Sequence, residues 1–399
     1  MGVSGFWAFY LELVKVVPVE EITGKYAFID IILYLHKYII GIRKGGFDII
    51  TKNKKNVVHI HALTKIIKNF TDQNILPICV FDGKSPLIKS EAVEKRREII
   101  EHSREKCEEL NTDSLGTDIK TPEYIKHFKR SFSVNHTILS ECKEYLKLAG
   151  LPYVDSVEEA DPQCAAMAYY YKNICSGAFS EDSDIILYGA PSLYRTYDVR
   201  TKTVSVIHLQ DILTYLQEKS NNITSECGGT DNLQFTRENL IDFSIIMGND
   251  YCQGIRCSKQ NNRDALFKLF VIAKYNVELF KAIIDEINLQ QPTYIVPDNF
   301  IEKWKDARTV YTDSLIINPA NIDVTMNKPD YRGIEKYLST INFRNDIIVH
   351  IVNSLFDLYS YFNKIVTITF DKSTNSIYDD WTTVKGKRRD CNIYSQLCV

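Results

Sequence analysis

The 399-residue chain carries 48 Lys and Arg against 51 Asp and Glu, a net charge of -3, with 45% hydrophobic and 25% charged residues. This is ordinary globular composition, enough to bury a sizeable core in one large domain or two to three smaller ones, and it excludes disorder and fibrous repeats. The near-neutral balance leaves a polyanionic partner open, because a basic face can be offset by an acidic site. Ten cysteines in a chain this long are too sparse for a disulfide scaffold. Cys252 and Cys257 lack a second close pair for zinc, so reduced thiols of the cytosol or nucleus are expected.

At the N-terminus, the apolar run from Phe6 to Val17 is interrupted by Glu12 and Lys15 and stopped by Pro18, which argues against a signal peptide or a membrane span. Lys25 to Ile29 reads as a buried strand ending in Asp30, followed by an apolar-faced helix through Ile42. The pattern repeats in a helix from about Val57 to Asn74 and a strand from Pro77 to Phe81 ending in Asp82. Alternating strand and helix predicts a mainly parallel sheet, whose ligands bind outside the carboxyl ends of the strands. Lys89, Lys95, Arg96, Arg97, Arg104 and Lys106 then lie among glutamates on a helical stretch. Such a run is either a solvated face or an element that tracks phosphates. A core helix from Val134 to Ala149 follows.

Two acidic clusters come next. Pro162 after Asp161 predicts a helix start with Asp161 as its cap, the helix running from Gln163 to about Asn173. Gly177 to Phe179 leads into Asp182 and Asp184, and Ile185 to Tyr188 has strand composition. Strands Leu193–Tyr197 and Thr203–Ile207, a helix over 209–217, and a polar loop over 219–234 precede a helix capped by Thr236. That helix delivers Asp250, and the chain beyond it reads as mostly helical.

If Asp30, Asp82, Glu159, Asp161, Asp182, Asp184 and Asp250 converge, each pair about 5 Å apart repels by roughly 3 kcal/mol at an effective dielectric near 20. Such a site needs cations. Oxygen ligands without His or Cys favour magnesium, with manganese as a substitute, over zinc. Two such ions suit phosphodiester hydrolysis.

The motifs beginning MGVSGFW, FID at Asp30, VFDGK from Val80, EADPQCAA from Glu159, SEDSD from Ser180 and MGNDYC from Met247 together resemble the flap endonuclease family of 5' nucleases. The likeness runs from Met1 to about Phe356. It implies a central mixed, mainly parallel sheet flanked by helices, a helical arch from residues near 84 to 132, and a helical C-terminal half. Residues 1–110 and 111–255 would form the nuclease, 256–370 a DNA-binding part of the same unit, and 371–399 a flexible basic tail.

The resemblance also implies magnesium-dependent removal of 5' flaps and 5'-to-3' trimming of DNA, by a monomer acting in the nucleus or cytoplasm. It puts Asp30, Asp82, Glu159 and Asp161 on one metal side and Asp182, Asp184 and Asp250 on the other. Lys89 and Arg96 match residues that contact the scissile phosphate, Gly2 and Arg43 match positions near the DNA, and His36 falls where a ring stacks on a base. After MGNDYC the family has a glycine-rich hairpin that grips duplex and a monovalent ion. Here Cys257 to Asn262 lack those glycines, so Lys259 and Arg263 are expected to share the duplex binding. The C-terminus lacks the double-aromatic motif of sliding-clamp partners. Alternatives are a 5'-to-3' exonuclease without flap preference, on DNA or RNA, and a non-catalytic DNA-binding protein.

Overall fold

The computed structural model describes residues 2–112, 120–198, 200–228, 233–257 and 263–370. The expected basic tail and Lys259 lie outside them. A one-turn helix α1 (Phe6–Phe9) and an edge strand β1 (Lys15–Pro18) come first. Strand β2 (Tyr26–Asp30) is buried at all five positions, as a continuous apolar run in a central parallel strand should be. Its last residue, Asp30, caps helix α2 (Ile31–Ile42) by accepting the Leu33 amide at 3.3 Å. Helix α3 (Val58–Thr71) leads into β3 (Leu76–Phe81), again buried throughout.

The basic stretch forms two helices, α4 (Ser90–Thr112) and α5 (Pro122–Arg130), packed on each other. Helix α6 (His136–Leu148), strand β4 (Tyr153–Asp155), helix α7 (Ala160–Tyr170) and strand β5 (Cys175–Phe179) complete two more crossovers. A one-turn helix α8 (Asp184–Leu187) precedes β6 (Ser192–Asp198) and β7 (Thr203–His208). Helices α9 (Leu209–Glu226) and α10 (Arg237–Met247) follow. The rest is β8 (Arg256–Cys257), α11 (Arg263–Ile272), α12 (Val277–Gln290), β9 (Tyr294–Ile295), α13 (Phe300–Thr312), α14 (Tyr331–Thr340) and α15 (Asn345–Phe370).

The seven-stranded sheet has the order β1-β7-β6-β5-β2-β3-β4. Strands β6, β5, β2, β3 and β4 are parallel, and β7 and β1 add antiparallel at one edge. This is the mixed, mainly parallel sheet flanked by helices that was expected. No helix among the described residues is long and apolar enough to cross a membrane.

Three expectations are corrected. Asp161 does not cap α7: Glu159 is its N-cap residue, and Asp82 reaches from the neighbouring strand end to accept the Ala160 amide at 2.7 Å. Pro162 still falls in the first turn, where its missing N–H costs nothing. Ile185 to Leu187 are helix, not strand, because a short buried apolar run has no periodicity that separates the two. The turn is started by the Asp182 carboxylate, which accepts the Asp184 amide at 3.0 Å. The helix from Leu209 also continues to Glu226 through residues expected to be loop, anchored by buried Ser220 and Ile223.

Candidate active site

Adjacent parallel strands bring the acids to one edge. Asp30 ends β2, Asp82 follows β3, Glu159 and Asp161 follow β4, Asp182 and Asp184 follow β5, and Asp250 follows α10. The side chains feel one another. Burial first, and then the Asp82 charge, push the Asp30 carboxyl up to about 8. Asp161 is driven well above the carboxylate range by burial and then by Asp182 and Asp30, and Asp184 by burial and then Asp182. Burial raises Asp182 as well, with Asp250 adding to it.

Each acid also has a protein donor or a gap where one would be. The Ser180 hydroxyl donates to Asp30 Oδ2 at 3.0 Å and in turn accepts the Asp182 amide at 3.0 Å. Lys89 Nζ donates to both oxygens of Glu159 at 2.7 and 2.8 Å, over the Tyr251 ring. Burial opposes the charge of Lys89, but Glu159 and Asp161 outweigh it and raise the ammonium's pKa. Arg96 donates to Asp250 Oδ2 at 3.2 Å. Tyr251 donates to Glu159 Oε2 at 2.9 Å and Tyr311 to Asp184 Oδ2 at 3.0 Å. Asp161 Oδ1 and Asp184 Oδ1 are buried with no hydrogen-bond partner.

Among the described residues, no group of three or more His, Cys, Asp or Glu side chains is gathered into a metal cage. The donor set nonetheless fits a hard divalent cation. It is all oxygen, mutually repelling, and leaves two buried carboxylate oxygens unpaired.

The N-terminal segment closes one side of the cluster. Gly2 has φ +82°, and a Cβ there would lie 2.3 Å from Asp182 Oδ1, so only glycine fits against the acids. The Val3 amide donates to Ser183 Oγ at 2.9 Å. Arg263 donates to the Ser4 carbonyl at 3.2 Å, which puts the start of α11 beside this segment. His36 packs edge-on to Phe132 at 5.7 Å, and burial lowers its pKa. Arg43 is buried rather than free for a phosphate. It pairs with Asp48 at 2.8 and 3.1 Å, donates to the Phe128 carbonyl at 2.6 Å and stacks on the Phe128 ring.

Sequence reasoning missed Ser180, Ser183, Tyr251 and Tyr311 as parts of the site. The first three lie inside motifs already singled out, where only the acids drew notice. Tyr311 carried no signal, being 127 positions from the carboxylate it touches.

Acids crowd the carboxyl edge of a mainly parallel sheet, with Lys89 and Arg96 reaching them from the segment that leads into and forms α4, the layout of a nuclease of the 5' type. The chain belongs to the flap endonuclease family: the XPG N-terminal domain matches residues 1–103 and the XPG I-region residues 150–250. The flap endonuclease 1 of Aedes aegypti is 28% identical over 349 residues, covering 85% of this chain and 82% of the relative. Among solved structures, the catalytic core of Rad2 in complex with DNA superposes with a TM-score of 0.60 at 18% identity, over 89% of this chain and 100% of that one. The Holliday junction-resolving enzyme GEN1, solved with product DNA, Mg2+ and Mn2+, gives 0.56 at 14% identity, over 92% and 81%.

Proposed function

We propose that this chain is a magnesium-dependent, structure-specific 5' flap endonuclease with 5'-to-3' exonuclease activity on DNA. The observation that carries the reading is the crowding of seven acids at one sheet edge with orphaned oxygens on Asp161 and Asp184. A purely structural site has no reason to bury so many mutually repelling acids. Asp30, Asp82, Glu159 and Asp161 would hold one ion and Asp182, Asp184 and Asp250 the other, with manganese able to replace magnesium. When bound, the ions supply Lewis acidity at the scissile phosphate and make water acidic enough to attack near neutral pH.

The chain's own residues do the rest. Lys89 and Arg96 are the cations nearest the acids, and a substrate phosphate competes with Glu159 and Asp250 for them. Gly2 keeps the approach to Asp182 clear of side chain. His36 offers a ring beside Phe132 for an unpaired base. Arg263 and Lys259 serve the duplex, and Arg43 sets the base of the arch on which α4 and α5 stand.

The test is a 5'-labelled flap duplex incubated with the purified protein in magnesium, beside Asp182→Ala and beside an EDTA control. Flap release by wild type alone, abolished by EDTA, is the expected result. Tight binding by both proteins with cleavage by neither overturns the enzyme and leaves a DNA-binding scaffold. Equal rates on flapped and unflapped ends overturn the flap preference only.

A further inference from the structure

The acids of the cluster come from the sheet edge and the turn after α10, yet one hydroxyl that touches them comes from the C-terminal helices. Tyr311, near the end of α13, is 2% exposed. Its hydroxyl donates to Asp184 Oδ2 at 3.0 Å and accepts from Asn249 Nδ2 at 3.1 Å. Asn249 neighbours Asp250 and uses its own carbonyl oxygen to accept the Tyr251 and Cys252 amides at 3.0 and 2.8 Å. The same tyrosine is fixed from behind. Arg237 donates to the Leu187 carbonyl at 2.8 Å, at the end of α8, and to the Tyr311 carbonyl at 3.4 Å. Its ring packs against Tyr188 and Tyr251, with centroids 5.1 and 5.5 Å away.

With one carboxylate oxygen of Asp184 taken by Tyr311, the other, Oδ1, is left buried and unpaired. A hydrogen bond to one oxygen restrains the carboxylate and leaves its other oxygen free in a preferred direction. We infer that Tyr311 is a positioning residue for the reaction, locking Asp184 as a one-oxygen ligand and tying it through Asn249 to the loop that carries Asp250. This rests on the nuclease reading given above. It also makes α13 part of the site, so the C-terminal helices do more than receive duplex. The hydroxyl is what matters in this account, because the ring alone would fill the same space.

Tyr311→Phe removes only that oxygen. Three measurements on the full chain decide the matter: Mn2+ binding without DNA, followed by electron paramagnetic resonance; kcat and KM on a flap duplex; and thermal melting. The expected result is Mn2+ affinity weakened about 10-fold and kcat lowered roughly 10- to 100-fold, with KM for DNA unchanged and the melting temperature within a few degrees of wild type. Mn2+ affinity and kcat equal to wild type overturn the inference. So does a fall in kcat accompanied only by a matching loss of melting temperature, with Mn2+ affinity intact, since a packing role would do that. A wild type that neither binds Mn2+ nor cleaves overturns the nuclease reading itself, and this inference with it.

Discussion

Truncating Lys89 would strip Glu159 of a bidentate ion pair at 2.7 and 2.8 Å in a place where the lysine is only 8% exposed. The loss is one of charge rather than volume. A buried ammonium surrounded by Glu159, Asp161 and Asp184 is a counter-charge of the cluster, and in the proposed function it is what a substrate phosphate competes for. Lys89→Ala is therefore expected to lower kcat on a flap duplex about 100-fold with a much smaller change in KM, as measured by steady-state cleavage. Arg96, half-exposed in its pair with Asp250, has less to lose by letting go of its acid. The two basic residues thus differ: Lys89 is buried against its acid and Arg96 is half-exposed.

A buried guanidinium ties the end of α2 to the arch helix α5. Arg43, at the end of α2, grips Asp48 with two nitrogens and α5 with a third, while Phe128 covers its face. Removing it leaves the charge of Asp48, itself mostly buried, to the neutral Asn56 side-chain amide, which donates to it at 2.9 Å. Arg43→Ala should cost on the order of 3 kcal/mol in urea unfolding. Arg43→Lys should recover little of it, because a point charge cannot make the forked contact. Helix α4 shows the opposite economy. Its residues from Val93 to Ile99 are all exposed, so its helical state rests on propensity and on contact with α5 rather than on a core face.

Across the whole molecule, the long C-terminal helix α15 is held to the nuclease core near the end of α3. Asp72 lies there, accepting from Ser354 Oγ at 2.7 Å, from His350 Nε2 at 3.2 Å and from Lys68. Burial raises its carboxyl, but the bonds from Lys68 and Ser354 outweigh burial and hold it below the usual range. A depressed folded pKa means the unfolded chain takes up the proton first, so this stability is present above the unfolded value near 4 and is lost as pH falls through the lower folded one. The wild-type advantage over Asp72→Asn in urea unfolding should be about 1 kcal/mol at pH 7 and vanish near pH 2.

The sequence by itself determined strands β2, β3, β6 and β7 and the aspartates after the first two, but not β1, β4 or β5. The apolar runs Tyr26 to Ile29 and Leu76 to Phe81 form central parallel strands, and an aspartate directly after such a strand emerges at the sheet's carboxyl edge. Those are local facts, carried by neighbours in the chain. Only the tertiary structure decided which donor each carboxylate meets: Lys89 for Glu159, Arg96 for Asp250, Tyr311 for Asp184, and Asp82 as donor-seeker for the first turn of α7. It alone buried Arg43, and it alone turned Ile185 to Leu187 into helix. Hydrogen-bond and ion-pair partners lie 70 to 154 positions apart in these cases, and no periodicity in the sequence encodes a choice made by packing across that distance.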